Sequence, residues 1–236
     1  MVRVDIPELL EDATVPSSLV ERAYQDMAAV HYWLGDVRYI VRTIRRDPAP
    51  VRRILDVGCG PGLVAHRVAA ALGVEAVGAD IRRPFPIATR IPVVQADACQ
   101  DLLPRADVAF CMSLCHHLPP EELAALIRNV GRSCRRLVML DLVRRYLPLA
   151  LFKLFVAPFL CRIDAEDGAR SLRRAYTPAE LASITSTALA GTGATFTTNA
   201  SPFGIRQVVD IRYAQRPVGK RMQPRQYAGE QRRRCQ

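Results

Sequence analysis

The sequence predicts an α/β fold: a mostly parallel sheet sandwiched between helices on both faces. Three observations predict it. Five short apolar runs, at residues 54–57, 74–81, 92–96, 108–114 and 136–141, are continuous rather than alternating, which is how strands buried on both faces read. Stretches with helical spacing of apolar residues, 63–72 and 119–129, fall between some of these runs. The first run leads straight into Gly58-Cys59-Gly60-Pro61-Gly62, a glycine-rich turn that opens a helix.

With 236 residues the chain suffices for one such domain and little more. The domain is expected over 1–215, with helices over about 1–50, the core over about 51–212 and an apolar insertion over about 142–176. Residues 216–236 carry seven Lys and Arg against one acid, which is +6 of the net charge of +10. Such an end, rich in Pro, Gln and Arg, reads as a solvated, disordered tail, not as a nucleic-acid arm. Seven cysteines with no C-x-x-C pair suit reduced, buried thiols of a cytoplasmic protein better than disulfides or a zinc site. The N-terminus lacks the apolar core of a signal peptide. The longest apolar run, 146–161, is broken by Lys153, Pro148 and Pro158, and is short for a bilayer span.

Taken in order, Ser17 or Ser18 should cap a helix over 19–30, with Glu21 favouring its first turn. His31-Tyr32-Trp33-Leu34-Gly35 follows, then a helix over 36–45 that ends before Pro48 and Pro50. Tyr24, Tyr32 and Trp33 suit either core packing or a lid over a ligand. Gly73 should end the helix after the glycine turn. The second strand ends at Asp80, the third runs into Asp97, the fourth into His116-His117, and the fifth ends at Asp141. Thr177-Pro178-Ala179-Glu180 is a capping box, and 194–198 with 205–212 reads as a final strand pair.

The glycine turn discriminates between ligands. A dinucleotide fingerprint wants a third small residue where Leu63 stands, and Asp56 would repel a pyrophosphate. An acid there suits a cationic ligand such as the sulfonium S-adenosylmethionine. ILDVGCGPG resembles the first motif of class I S-adenosylmethionine-dependent methyltransferases of the small-molecule type, which includes ubiquinone, menaquinone and polyketide or phenolic-lipid tailoring enzymes. That resemblance implies a Rossmann-like, seven-stranded sheet with one antiparallel strand and the cofactor over the carboxyl ends of strands one, two and four. It implies Asp56, Gly58, Cys59 (by its backbone), Gly60 and Gly62 around the cofactor. Asp80 and Ile81 would stand at the ribose, Asp97 and Ala98 at the adenine, and Met112 where the fourth strand passes. No metal is expected, and the product would be S-adenosylhomocysteine. His31 departs from the pattern, standing where the family leads one to expect an asparagine.

Methyl transfer is an in-line displacement, so it asks chiefly for positioning, exclusion of water and, for a hydroxyl acceptor, a base. His117, then His116, are the expected bases, with Asp141 orienting base or substrate. The apolar insertion, with Phe152 and Phe155, suits a small, apolar or phenolic acceptor. Arg174 and Tyr176 could reach that acceptor, or serve elsewhere. O-methylation is the expected reaction, with C-methylation of a quinone or polyketide ring as the alternative. A non-catalytic S-adenosylmethionine-binding protein is the reading from a different class. Weak docking on a membrane surface would fit the insertion and the basic tail. Nucleic acid is not an expected partner, since no Asn/Asp-Pro-Pro-aromatic motif follows strand four. The oligomeric state is open.

Overall fold

In the computed structural model, residues 1–4, 6–9, 14–82, 85, 87–201 and 204–214 are described. Seven strands, β1 (Arg53–Val57), β2 (Glu75–Asp80), β3 (Val93–Gln95), β4 (Val108–Met112), β5 (Arg136–Leu142), β6 (Thr195–Ala200) and β7 (Arg206–Arg212), form one sheet in the order β3-β2-β1-β4-β5-β7-β6. Pairing is parallel from β3 to β5, and β7 runs antiparallel to both β5 and β6. The strand order reverses between β1 and β4. A crevice therefore opens outside their carboxyl ends, where open α/β sheets take ligands.

The two faces of the sheet fill separate cores. Leu55, Val57, Ala109, Cys111, Leu137, Met139, Val209 and Ile211 point to one side, and Ile54, Val108, Phe110, Val138, Leu140 and Val208 to the other. The period of two is intact, but both phases are apolar, so the strands read as continuous runs. Helices α1 (Ser17–Trp33), α2 (Asp36–Arg45) and α3 (Leu63–Leu72) precede and follow β1. Val37, Ile40, Val41 and Ile44 of α2 pack with Ala65 and Val68 of α3 on the second face. Helices α4 (Pro120–Val130) and α7 (Pro178–Leu189) cover the first face through Leu123, Leu126, Ile127, Leu181 and Ala188. The Thr177–Glu180 capping box forms at the start of α7 as the sequence predicts.

Several boundaries differ from the sequence reading. The first helix begins at Ser17 behind Pro16, without a side-chain cap, so neither serine caps it. It also runs on through His31, Tyr32 and Trp33, and the chain turns only at Gly35, whose φ of 82° is left-handed. Tyr32 and Trp33 are exposed, so core packing does not account for them. Strand β6 runs past the expected end at 198 through Asn199 and Ala200. The apolar run divides into α5 (Tyr146–Phe155) and a 3₁₀ turn, Ala157–Phe159, around Pro158. Residues 162–174 form α6 (Arg162–Arg174) despite Gly168. That glycine is used in packing: a Cβ there would stand 2.4 Å from the ring tip of Phe152, so its absence lets α5 lie against α6. The tail expectation for 216–236 lies outside the described residues. No helix among the described residues is long and apolar enough to cross a membrane.

Candidate active site

The glycine turn is fastened to the end of β2 by its own backbone. Gly58 and Cys59 N–H donate to the Ala79 carbonyl at 2.8 and 3.4 Å, and Gly60 N–H donates to Asp80 Oδ2 at 2.7 Å. Asp80 Oδ1 accepts from Arg82 N–H at 2.8 Å. Gly60 has φ of 52°, and a Cβ on it would stand 2.8 Å from the Tyr24 ring of α1. The turn thus needs glycine for both its backbone angle and its clearance beneath the helix. Tyr24 lies over the turn as the lid reading requires.

A cleft of about 380 Å³ opens here, lined by Gly58, Gly60, Asp80, Ile81, Asp97, Ala98 and Met112 together with Tyr24 and Arg82. Asp97 is held in its own turn, its two oxygens accepting from Cys99 N–H and Gln100 Nε2, each at 2.8 Å. Three of the residues expected at the cofactor do not line the cleft. Gly62 caps α3 with φ of 78°, and a Cβ there would stand 2.4 Å from Ile91. Cys59 turns its sulfur against Gly78 of β2, where a Cβ would meet it at 2.2 Å, so its contribution is backbone. Asp56 is buried in β1 between Gly78 and Phe110, because a central strand is flanked on both sides. Burial, and then the neighbouring Asp80, push its carboxyl well above the usual range.

A second cavity, of about 350 Å³, lies between α1, α5 and α6. Its walls are mostly apolar, including Val30, Leu34, Leu151, Phe152, Phe155 and Leu172. One side of α5 therefore faces this cavity, while Tyr146, Leu147 and Leu154 remain exposed. Filling of the core does not explain the run, since Pro148 is its one buried residue within α5. Polar groups interrupt the apolar wall, among them Asp26, Asp164 and His31. Asp164 has a buried Oδ2 with no hydrogen-bond partner among the described residues. Buried His31 meets Asp36 at 2.8 Å, and Arg206 Nε lies 3.1 Å from the same oxygen.

The two cavities share Glu8, Ala23, Met27, Ser113 and His117. Ser113 follows β4 with φ of 52°, the one positive φ outside glycine among the described residues. Strain of this kind collects at functional turns. The 3₁₀ turn Cys115–His117 comes next. His116 is buried with Nδ1 2.7 Å from Asp141 Oδ1 and Nε2 3.5 Å from Glu8 Oε1. Burial lowers its basicity, but Asp141 and then Glu8 outweigh that and raise its pKa to about 9. Without another ligand in place His116 therefore carries a proton at neutral pH and has no free lone pair, which argues against it as a base. His117 is part-exposed, with Nε2 3.7 Å from Glu8 Oε1.

Arg174 and Tyr176 line neither cavity. They support the histidine turn from below: Tyr176 Oη donates to the Leu118 carbonyl at 2.7 Å, and Arg174 Nη2 to the His117 carbonyl at 3.4 Å. Both are buried because the chain leaving α6 passes inward toward β7. Glu8 is the residue that sequence reading missed. It lies 108 positions before His116 in a segment without periodicity, so nothing local signals that it reaches the site.

A sequence profile described as a methyltransferase domain matches residues 54–136, from β1 to the first residue of β5. This part of the chain resembles a methyltransferase domain. Solved methyltransferase structures share its fold. The plantazolicin methyltransferase BpumL in complex with SAH matches with a TM-score of 0.65 at 10% identity, over 87% of this chain and 93% of that one. Human N-acetylserotonin methyltransferase in complex with SAM matches with 0.57 at 17% identity, over 83% and 56%. Magnesium protoporphyrin IX methyltransferase from Synechocystis PCC 6803 with bound SAH matches with 0.50 at 21% identity, over 76% and 82%. No curated protein sequence matches the chain. The crevice at the β1/β4 reversal is where a sheet of this topology takes its ligand.

Proposed function

We propose that the chain is an S-adenosylmethionine-dependent methyltransferase that methylates an oxygen of a small, largely apolar acceptor. One observation carries this reading: the cleft at the glycine turn and the apolar cavity under α5 meet at Ser113, His117 and Glu8. A two-substrate displacement needs such a meeting, with each substrate approaching the junction from its own side.

The cleft residues fit the cofactor. Each Asp80 oxygen already accepts one backbone N–H and keeps a lone pair for a ribose hydroxyl. Asp97 and Ala98 stand at the adenine end, and Gly58 and Gly60 line the cleft where the cofactor's tail would lie beside Tyr24. Bound there, S-adenosylmethionine supplies a methyl carbon made electrophilic by its sulfonium. The chain's own residues do the rest. Tyr24, Met27 and Ala23 of α1 close over the junction and exclude water, while Phe152 and Phe155 orient the acceptor's apolar body. The Glu8–His117 pair takes the proton that an acceptor hydroxyl must lose, and Asp141 positions His116 behind that pair. Oxygen is favoured over ring carbon because this basic pair lies on the wall the two cavities share. The unpartnered Asp164 Oδ2 suits an acceptor bearing a hydrogen-bond donor at its far end.

The exposed side of α5 and the following turn carries Leu154 and Phe159 with Lys153 and Arg162 nearby in sequence. That supports delivery of an apolar acceptor from an anionic membrane surface. Calorimetric titration of S-adenosylmethionine into the wild type and Asp80→Ala tests the cofactor site, and equal affinities would sink it. Incubation with methyl-labelled cofactor and a panel of phenols and aliphatic alcohols tests the reaction. Tight cofactor binding with no label on any acceptor would favour a binding protein.

A further inference from the structure

The junction brings together three ligand-type atoms from two distant parts of the chain. Glu8 Oε1 lies 3.5 Å from His116 Nε2 and 3.7 Å from His117 Nε2, and one such atom from each residue lies within 4.8 Å of the others. In a tetrahedral site with bonds of about 2.1 Å, ligand atoms stand about 3.4 Å apart. The three atoms are thus already close to ligand spacing. Their supports are in place too. Asp141 Oδ1 holds His116 Nδ1 at 2.7 Å, and Glu8 Oε1 accepts from the Ser171 hydroxyl. A carboxylate behind a ligating imidazole is the usual means of fixing its ring. Glu8 and His116 are buried, and His117 opens on both cavities.

We propose that Glu8, His116 and His117 form a binding site for a divalent transition-metal cation with an open position facing the acceptor. Two imidazoles and one carboxylate suit zinc, manganese or ferrous iron better than magnesium or calcium. A divalent cation also balances the two carboxylates, Glu8 and Asp141, that the fold buries there. The site departs from the metal-free expectation of the sequence. It rests on the reading of the junction as the place of methyl transfer, and states how the acceptor hydroxyl is prepared there. With the cation bound, Glu8 and His117 act as its ligands in place of acting as the base: the cation draws electron density from the hydroxyl oxygen, and the proton passes to water.

The test uses cobalt(II) as the probe, titrated into the full chain after chelator treatment and followed by visible absorption. One saturable cobalt per chain is expected. Glu8→Gln and His117→Asn should each weaken it at least tenfold while keeping the wild-type circular dichroism. No saturable band, or an unchanged midpoint in both variants, would overturn the site. Methyl transfer that runs equally fast in metal-free and metal-loaded protein overturns the cation's role and leaves the methyltransferase reading standing. Cobalt bound at the triad in a chain that binds no S-adenosylmethionine supports the metal site and removes that reading.

Discussion

The two halves of the crevice are built by different means. On the cofactor side, backbone does the positioning: Gly58, Cys59 and Gly60 hang from Ala79 and Asp80, and Asp97 is tied to the two residues that follow Ala98. The elements involved are strand ends within one parallel sheet, so each position is fixed by register. On the acceptor side, side chains form the wall, contributed by α1, α5, α6 and the start of β7. These helices touch each other through shape, as at Gly168 and Phe152. On the proposed reading, the contrast teaches that cofactor binding would depend on local geometry, whereas acceptor choice would depend on which helices meet. One side should tolerate little change, and the other should be retuned by single substitutions.

The largest expected effect strikes the backbone side. Gly60→Ala forces a Cβ against Tyr24 at a left-handed φ, and Asp80→Ala removes the anchor of the same turn. Each should lower S-adenosylmethionine affinity by about 100-fold, in line with the loss of two hydrogen bonds to a charged group. Calorimetry reads this directly. An Asp80→Ala affinity within threefold of wild type breaks the assignment.

Next comes the apolar wall. Phe152→Ala should raise the acceptor's KM by about tenfold, as loss of an aromatic contact allows, with cofactor affinity unchanged. If both affinities fall together, the halves are not independent. Gly168→Val should act likewise by pushing α5 from α6, and steady-state kinetics with both substrates separates the two effects.

A smaller effect should be seen in stability against pH. Burial pushes Asp36 up, but the His31 hydrogen bond and the Arg206 guanidinium outweigh it and hold the carboxyl below its usual range. A depressed folded pKa gives stability that is present above the unfolded value of about 3.9 and is lost as pH falls through the folded one. Urea denaturation should show that acid-side loss in the wild type. Asp36→Asn should be less stable at pH 7 by about 1–3 kcal/mol, with a flatter acid limb. A steeper limb in the variant would contradict this role.

The smallest effect belongs to the junction backbone. Ser113→Gly relieves a positive φ and should stabilise the fold by up to about 1 kcal/mol in denaturant. Its turnover should fall, because the turn that presents His117 loses rigidity. A rise in both would mean that the strain at Ser113 has no part in the reaction.

The cofactor half was legible because its information is local. Asp56 through Gly62 is one contiguous stretch, and Asp80 and Asp97 stand at strand ends that a continuous apolar pattern reveals. Even there, only the structure shows that Asp56, Cys59 and Gly62 stand behind the cleft. The acceptor half was legible only as a property, the apolar run over 146–161. Arg174 and Tyr176 look like substrate contacts in sequence, yet the inward path of the chain after α6 makes them props for the histidine turn.

The sequence by itself determined the α/β class, the glycine turn and its carboxylate partners, because strand burial and left-handed turns each demand particular residues at fixed local spacing. Tertiary structure alone decided that Glu8 meets His116 and His117, that one face of α5 walls a cavity, and that α1 covers the turn. Such contacts join segments as far apart as Glu8 and His117, 109 positions, and no periodicity encodes such a meeting. They follow from how finished elements pack, and that packing sets where the two cavities meet.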